Sequence, residues 1–165
     1  MPRPSRDQVL MRQAEIVAER STCTRGAVGT VIAHDGRSVV SGYNGAPVGM
    51  PHCDHTCICN GSGVPARLVP IDGHLPNCST ITPCTVAVHA EANAIAFAAR
   101  HGLTTEGASL HTTMAPCTAC AMLIINAGIV RVLYGNKYRD MHGAQLLIQA
   151  GVEVRFTPRV GWGVG

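Results

Sequence analysis

The feature that most constrains this chain is a pair of short motifs, His89-Ala90-Glu91 and Pro116-Cys117-Thr118-Ala119-Cys120. A Cys-x-x-Cys by itself is ambiguous, since it serves as a redox pair or as half of a zinc finger. His89 supplies a third ligand, and three protein ligands leave the fourth tetrahedral position of Zn²⁺ open to water. A fold that uses them together must bring residue 89 beside residues 117 and 120. Glu91 lies too close to His89 for an ordinary capping box, and nothing else explains a carboxylate inside this apolar run. An open coordination position with a carboxylate beside it is equipment for activating water and moving its protons. His89, Cys117 and Cys120 are therefore the candidate catalytic-zinc ligands, and Glu91 the candidate proton shuttle.

Composition sets the frame around these residues. With 165 residues, 46% hydrophobic and 14% charged, the chain reads as one globular domain over residues 1–165 with a sizeable core. Aromatic residues make up only 4%, so the core rests on Ala, Val, Ile and Leu. That suits a sheet covered by small-residue helices. The net charge of +3 is compatible with a small phosphate-bearing substrate. It is too mild for a nucleic-acid surface, and two Phe and one Trp give little on which bases could stack. No apolar run reaches membrane-spanning length, and the N-terminus lacks a signal-peptide pattern, so no membrane partner and a cytoplasmic location are expected. Eight cysteines would be reduced there, which favours metal ligation over disulfides.

Along the chain, the spacing predicts a helix over residues 5–19, capped by Ser5, with Val9, Leu10, Ile16 and Val17 at roughly helical intervals. Two β-branched runs, 27–33 and 38–43, flank His34-Asp35-Gly36-Arg37, and Asp-Gly is a strong hairpin signal. The second run empties into Tyr43-Asn44-Gly45-Ala46-Pro47. Arg25 precedes the first run, either as a phosphate ligand or as a solvated charge. Residues 50–84 break the pattern: no period, many Pro and Gly, and a crowd of Cys53, Cys57, Cys59, Cys78, Cys84, His52, His55 and His74. So long a coreless stretch needs a staple, and a closed zinc site supplies one. A helix over 86–100 begins around the first motif, and Gly102 stops it. There follow a strand over 108–113, a helix over 117–127, a strand over 129–134, a helix over 143–150 and a strand over 152–156. Strands alternating with helices imply parallel neighbours in one sheet. The residues from 157 to 165 read as a loose tail.

The two motifs together resemble the signature of the zinc-dependent cytidine/deoxycytidylate deaminase superfamily. Val28-Gly29-Thr30-Val31-Ile32, Ser41-Gly42-Tyr43-Asn44-Gly45-Ala46-Pro47 and His89-Ala90-Glu91-Ala92-Asn93-Ala94-Ile95 narrow the resemblance to deoxycytidylate deaminases. It implies an α/β fold: a three-layer α/β/α sandwich around a five-stranded mixed sheet, with the Cys/His-rich stretch as an insertion. It also implies hydrolytic deamination of dCMP to dUMP with loss of ammonia, feeding thymidylate synthesis. The substrate-binding candidates are Asn44, expected to contact the sugar, Tyr138, expected to border the nucleotide, Arg25, and Asn93, which shares a helix face with His89. By the same resemblance a second zinc would sit on Cys23, Cys53 and Cys84, with His55, His52 or Asp54 as its fourth ligand. A third, on Cys57, Cys59, His74 and Cys78, would use every remaining cysteine. Relatives form hexamers and answer to dCTP and dTTP through a second nucleotide site with Mg²⁺. The competing readings are a deaminase of dCTP or 5-substituted dCMP, of free cytidine or guanine, or of nucleic acid, and a non-catalytic zinc-stapled binding module. Glu91 speaks against the last, because a structural site needs no carboxylate beside an open position.

Overall fold

A computed structural model describes residues 3–23, 26–50, 52, 56–59, 67–70 and 87–158, with backbone alone at 56–59 and 67–70. Helix α1 spans Arg6–Ala18 and starts as the sequence suggests. The Ser5 hydroxyl accepts from the Gln8 backbone N–H at 3.2 Å, while Gln8 Oε1 accepts from the Ser5 N–H at 2.8 Å, closing a capping box. Its buried face differs from the expected one. Leu10, Met11, Ala14 and Ala18 point inward, whereas Val9 and Ile16 are exposed. Ala14 and Ala18 sit one turn apart and let the helix lie close to the sheet, which pure hydrophobicity does not rank.

Strands β1 (Gly29–His34) and β2 (Arg37–Tyr43) pair antiparallel across a two-residue turn. Asp35 and Gly36 have φ of 50° and 73°, the positive pair that a type I′ hairpin requires. Within residues 50–84, expected to lack regular structure, strands β3 (Thr56–Cys59) and β4 (Arg67–Pro70) pair antiparallel as a separate two-stranded sheet. Pro and Gly composition hid two runs of four residues, too short to show a period.

Helix α2 spans Ala90–Arg100, β5 Ser109–Thr112, α3 Thr118–Asn126, β6 Arg131–Tyr134, α4 His142–Gln149 and β7 Glu153–Phe156. The main sheet has the order β2-β1-β5-β6-β7. The β2, β1 and β5 neighbours are antiparallel, and β5, β6 and β7 are parallel, each reached through a helical crossover. This is the five-stranded mixed sheet that the sequence implies, with helices on both faces. Alternation along β1 divides the core. Val31 and Ala33 pack with Leu10 and Ala14 of α1. Ile32 joins Leu110, Val132, Ala94, Ala98, Ala121, Ile124 and Leu147 beneath α2, α3 and α4. Truncating one of the fully buried Leu or Ile residues there to Ala would cost about 2–5 kcal/mol. Among the described residues no helix is long and apolar enough to cross a membrane.

Candidate active site

Both motifs fall at helix starts on the α2/α3 face of the sheet. The α2 helix begins at Ala90, later than the expected residue 86, and His89 is its extended N-cap at φ −70° and ψ 153°. Cys117 is likewise the N-cap of α3 rather than its first turn, at φ −72° and ψ 169°. A run of helix formers does not betray this offset, because neither cap is one of the oxygen-bearing residues that usually mark a helix start. Extended caps turn both side chains away from the helix axes and toward each other.

The result is a compact donor set. Cys117 Sγ and Cys120 Sγ each lie 3.4 Å from His89 Nδ1. A tetrahedral ion with Zn–S of about 2.3 Å and Zn–N of about 2.0–2.1 Å separates S and N ligands by roughly 3.5 Å. The residues therefore fit zinc. Among the described residues this is the only group of three or more His, Cys, Asp or Glu side chains whose donor atoms all lie within 4.8 Å. Hydrogen bonds from Cys120 and His89 hold the Cys117 thiol down at about 3. The α3 N-terminus, with its partial positive charge, works in the same direction. Cys120 is buried, and the bond to Cys117 followed by desolvation pushes its thiol up. Binding a metal requires both thiols to give up their protons.

Glu91 is only 4% exposed, and desolvation raises its carboxyl above the ordinary range. Its own backbone N–H, the nearby His89 and a hydrogen bond with Cys120 pull the other way. It lines a cavity of about 100 Å³ with His89, Cys117, Asn44, Tyr138, Val28 and Met114. A buried carboxyl with a raised pKa, in a cleft beside three ligands, is poised both to take and to return a proton.

The structure thus gathers six sequence-singled residues, His89, Glu91, Cys117, Cys120, Asn44 and Tyr138, although not all in the expected way. Asn44 and Tyr138 reach the cavity wall. Asn44 is largely occupied: its Oδ1 accepts from Val28 N at 2.8 Å and Ser21 Oγ at 2.7 Å, and its Nδ2 donates to Gly26 O at 2.8 Å. An amide has two acceptor lone pairs and two N–H donors, so one N–H remains and the acceptor is used up. Asn44 can donate to a ligand oxygen but cannot also accept. Asn93 is not among the lining residues, and its Nδ2 donates to Tyr43 O at 2.7 Å. Cys23 is half-buried, with its N–H bonded to Ser21 Oγ at 3.2 Å. Arg25, Cys53, His55, His74, Cys78 and Cys84 lie outside the described residues, as do the side chains of Cys57 and Cys59.

Two supports were missed. Asn136 grips the loop before Cys117, donating from Nδ2 to Thr113 O and accepting from Ala115 N–H, each at 2.8 Å. Gly143, in the first turn of α4, lies against Pro116 O, and a Cβ there would come within 2.6 Å of Cys117 C. Only a residue without a side chain lets α4 approach the ligand-bearing turn. Neither contact has a local signal, since the Asn136 amide reaches Thr113 across 23 positions and Gly143 meets Pro116 from a different helix.

Comparison with known proteins agrees with this geometry. Residues 4–136 match the family model described as the cytidine and deoxycytidylate deaminase zinc-binding region. The chain is 42% identical over 134 residues to a deoxycytidylate deaminase of Mycobacterium phage D29, covering 81% of this chain and 97% of that one. It is 34% identical over 175 residues to the deoxycytidylate deaminase of Enterobacteria phage T2, covering 93% of each. The crystal structure of a dCMP deaminase from the cyanophage S-TIM5, in complex with dCMP and dUMP, superposes with a TM-score of 0.73 at 30% identity. That match covers 95% of this chain and all of the other. On its fold, its ligand triad and these similarities, the chain belongs to the zinc-binding cytidine and deoxycytidylate deaminase family.

Proposed function

We propose that this protein hydrolyses dCMP to dUMP and ammonia. The observation that carries the proposal is the buried Glu91 beside His89, Cys117 and Cys120 in one cavity. Deoxycytidylate deaminase relatives, and a structural neighbour holding dCMP and dUMP, supply the substrate. His89, Cys117 and Cys120 would hold zinc, which supplies Lewis-acid activation of a water. Glu91 takes one proton of the attacking water and delivers it to N3 of the base, then takes the proton of the new C4 hydroxyl and delivers it to the amine, which departs as ammonia. The product is the 4-keto pyrimidine. Its raised pKa suits a group that must be a base in one step and an acid in the next. The remaining Asn44 N–H donates to an acceptor oxygen of the nucleotide, and the Tyr138 ring closes the cavity wall.

The same proposal extends to one domain spanning the chain, a zinc-stapled insertion and a cytoplasmic homo-oligomer, up to a hexamer. It also includes regulation by dCTP and dTTP with Mg²⁺. Family membership supports each of these, and for the staple so do the five cysteines of residues 50–84. The test is ammonia release from cytidine, dCMP and dCTP, with and without added dCTP and dTTP, on protein whose zinc is counted. Turnover confined to dCMP is the expected outcome. Turnover of dCTP alone would move the substrate to the triphosphate, and none at all with full zinc would leave a binding module.

A further inference from the structure

We infer that Asn93 is a positioning residue, setting the substrate wall of the cavity through the Tyr43–Asn44 peptide without touching the nucleotide. The inference rests on the dCMP reading above and adds to it a residue that acts at second hand. The peptide between Tyr43 and Asn44 is held at both polar ends. Its N–H, on Asn44, donates to Val28 O at 3.1 Å. Its C=O, on Tyr43, accepts from Asn93 Nδ2 at 2.7 Å. Fixing both ends of one peptide plane fixes the direction in which the Asn44 side chain leaves the backbone.

Asn93 is also tied to the metal side. Its own N–H donates to His89 O at 2.9 Å, the first helical bond of α2. One residue therefore donates both to the carbonyl of His89 and to that of Tyr43, which precedes the substrate wall. Two further contacts make the junction stiff. Gly45 and Val88 exchange backbone bonds of 3.2 and 2.9 Å on either side. Gly42 lies against Ala90 O, where a Cβ would also come within 2.7 Å of Ala94 N. Those contacts hold β2 and α2 together whether or not residue 93 carries an amide. What the amide adds is the orientation of one peptide.

The consequence is a specific kinetic signature. A wall contact made equally in the ground and transition states changes KM more than kcat. Asn93→Asp keeps the shape and removes the donor; Asn93→Gln keeps a donor on a longer arm. For Asn93→Asp we expect KM for dCMP, and the calorimetric Kd for dUMP, to rise together by about 10- to 100-fold, the scale of a lost buried donor. Zinc content and kcat should stay near those of the unaltered chain, and Asn93→Gln should recover part of the loss. Lower thermal stability with unchanged KM and Kd would overturn the proposal and leave Asn93 a fold residue. A fall in kcat and zinc content at constant KM would also overturn it, placing Asn93 behind His89. Should the unaltered chain neither bind dUMP nor turn over dCMP, the dCMP reading itself fails.

Discussion

The start of helix α1 and the starts of α2 and α3 solve the same problem in opposite ways. Each helix start leaves backbone N–H groups in need of partners. At α1 the side chains satisfy one another. Ser5 and Gln8 close the cap, and Asp7 in the first turn binds Arg131 through two bonds of 3.0 and 2.6 Å. His111 Nε2 stands 3.2 Å from the same carboxylate. At α2 and α3 no side chain caps the helix, and the cap positions are held by His89 and Cys117. One face of the sheet thus carries a closed polar cluster and the other an open one. The closed cluster stabilises; the open one keeps its bonding capacity for a metal and a substrate. Perturbed pKa values occur in both, and the buried His111 Nδ1 has no hydrogen-bond partner, so it is the donor set converging beside Glu91, rather than the shift itself, that separates the two.

The sharpest way to break the comparison is Glu91→Gln. The amide fills the same space and removes the carboxyl that takes up and releases a proton. Turnover of dCMP should fall by roughly 10² to 10⁴, the range of a general acid/base contribution, while zinc content is retained. A variant with near-native turnover would take Glu91 out of the proton path. Next in size is Gly143→Ala on α4. The added methyl must displace the Pro116–Cys117 turn, so zinc affinity should drop by about 10- to 100-fold, the usual effect of disturbing a ligand's support. Competition with a chelator reads this directly. Unchanged affinity would show that α4 yields instead.

On the closed cluster the expected effects are on stability alone. Asp7→Ala leaves His111 and one face of Arg131 without their partner, and should cost about 1–3 kcal/mol in denaturant unfolding with kcat/KM for dCMP unchanged. The pH dependence has a definite sign. Burial holds the His111 pKa below its ordinary value, against the pull of Asp7 and with the help of Arg131. The unfolded chain therefore takes up the proton first. The neutral imidazole's contribution is complete above about pH 6.5 and is lost as pH falls toward the lowered value. Asp7, whose pKa the Arg131 bond lowers, adds a second loss as pH falls below about 4. In His111→Gln the first decline should flatten while the second persists. A slope identical to the native chain's between pH 7 and 5 would remove His111 from the account.

The two regions also differ in how far the sequence discloses them. The open site announces itself because its chemistry demands rare residue types at fixed short spacings: His89 with Glu91, Cys117 with Cys120. The hairpin is equally local, since Asp35-Gly36 dictates its own turn. The parallel half of the sheet follows from strands alternating with helices. By contrast, the closed cluster joins Asp7 to Arg131 across 124 positions, and Asp and Arg are common surface residues that carry no mark of their pairing. The role of Asn44 was half legible. The loop could be located, but not that bonds from Ser21 and Val28 would use up its acceptor while Gly26 O takes one of its two N–H groups. The start of α2 was misplaced for a related reason. A ligand at the N-cap replaces the Ser, Thr, Asp or Asn that would have marked it.

The smallest effect tests whether the two starts are independent. Ser5→Ala removes the hydroxyl that receives the Gln8 N–H, and loss of such a cap costs about 1 kcal/mol. Asp7 is two residues further on, so a looser first turn also weakens its grip on Arg131. If the clusters on the two faces are separate, the melting temperature falls by a few degrees, while KM, kcat and zinc content for the dCMP reaction do not move. The strands between them are shared, however: His111 lies on β5 between Leu110 and Thr112, and Thr112 bonds Thr30 at 3.0 Å beneath the loop that leads to Cys117. A change in zinc affinity on Ser5→Ala would therefore mean that α1 sets the height of β5, and that the closed cluster helps to aim the open one.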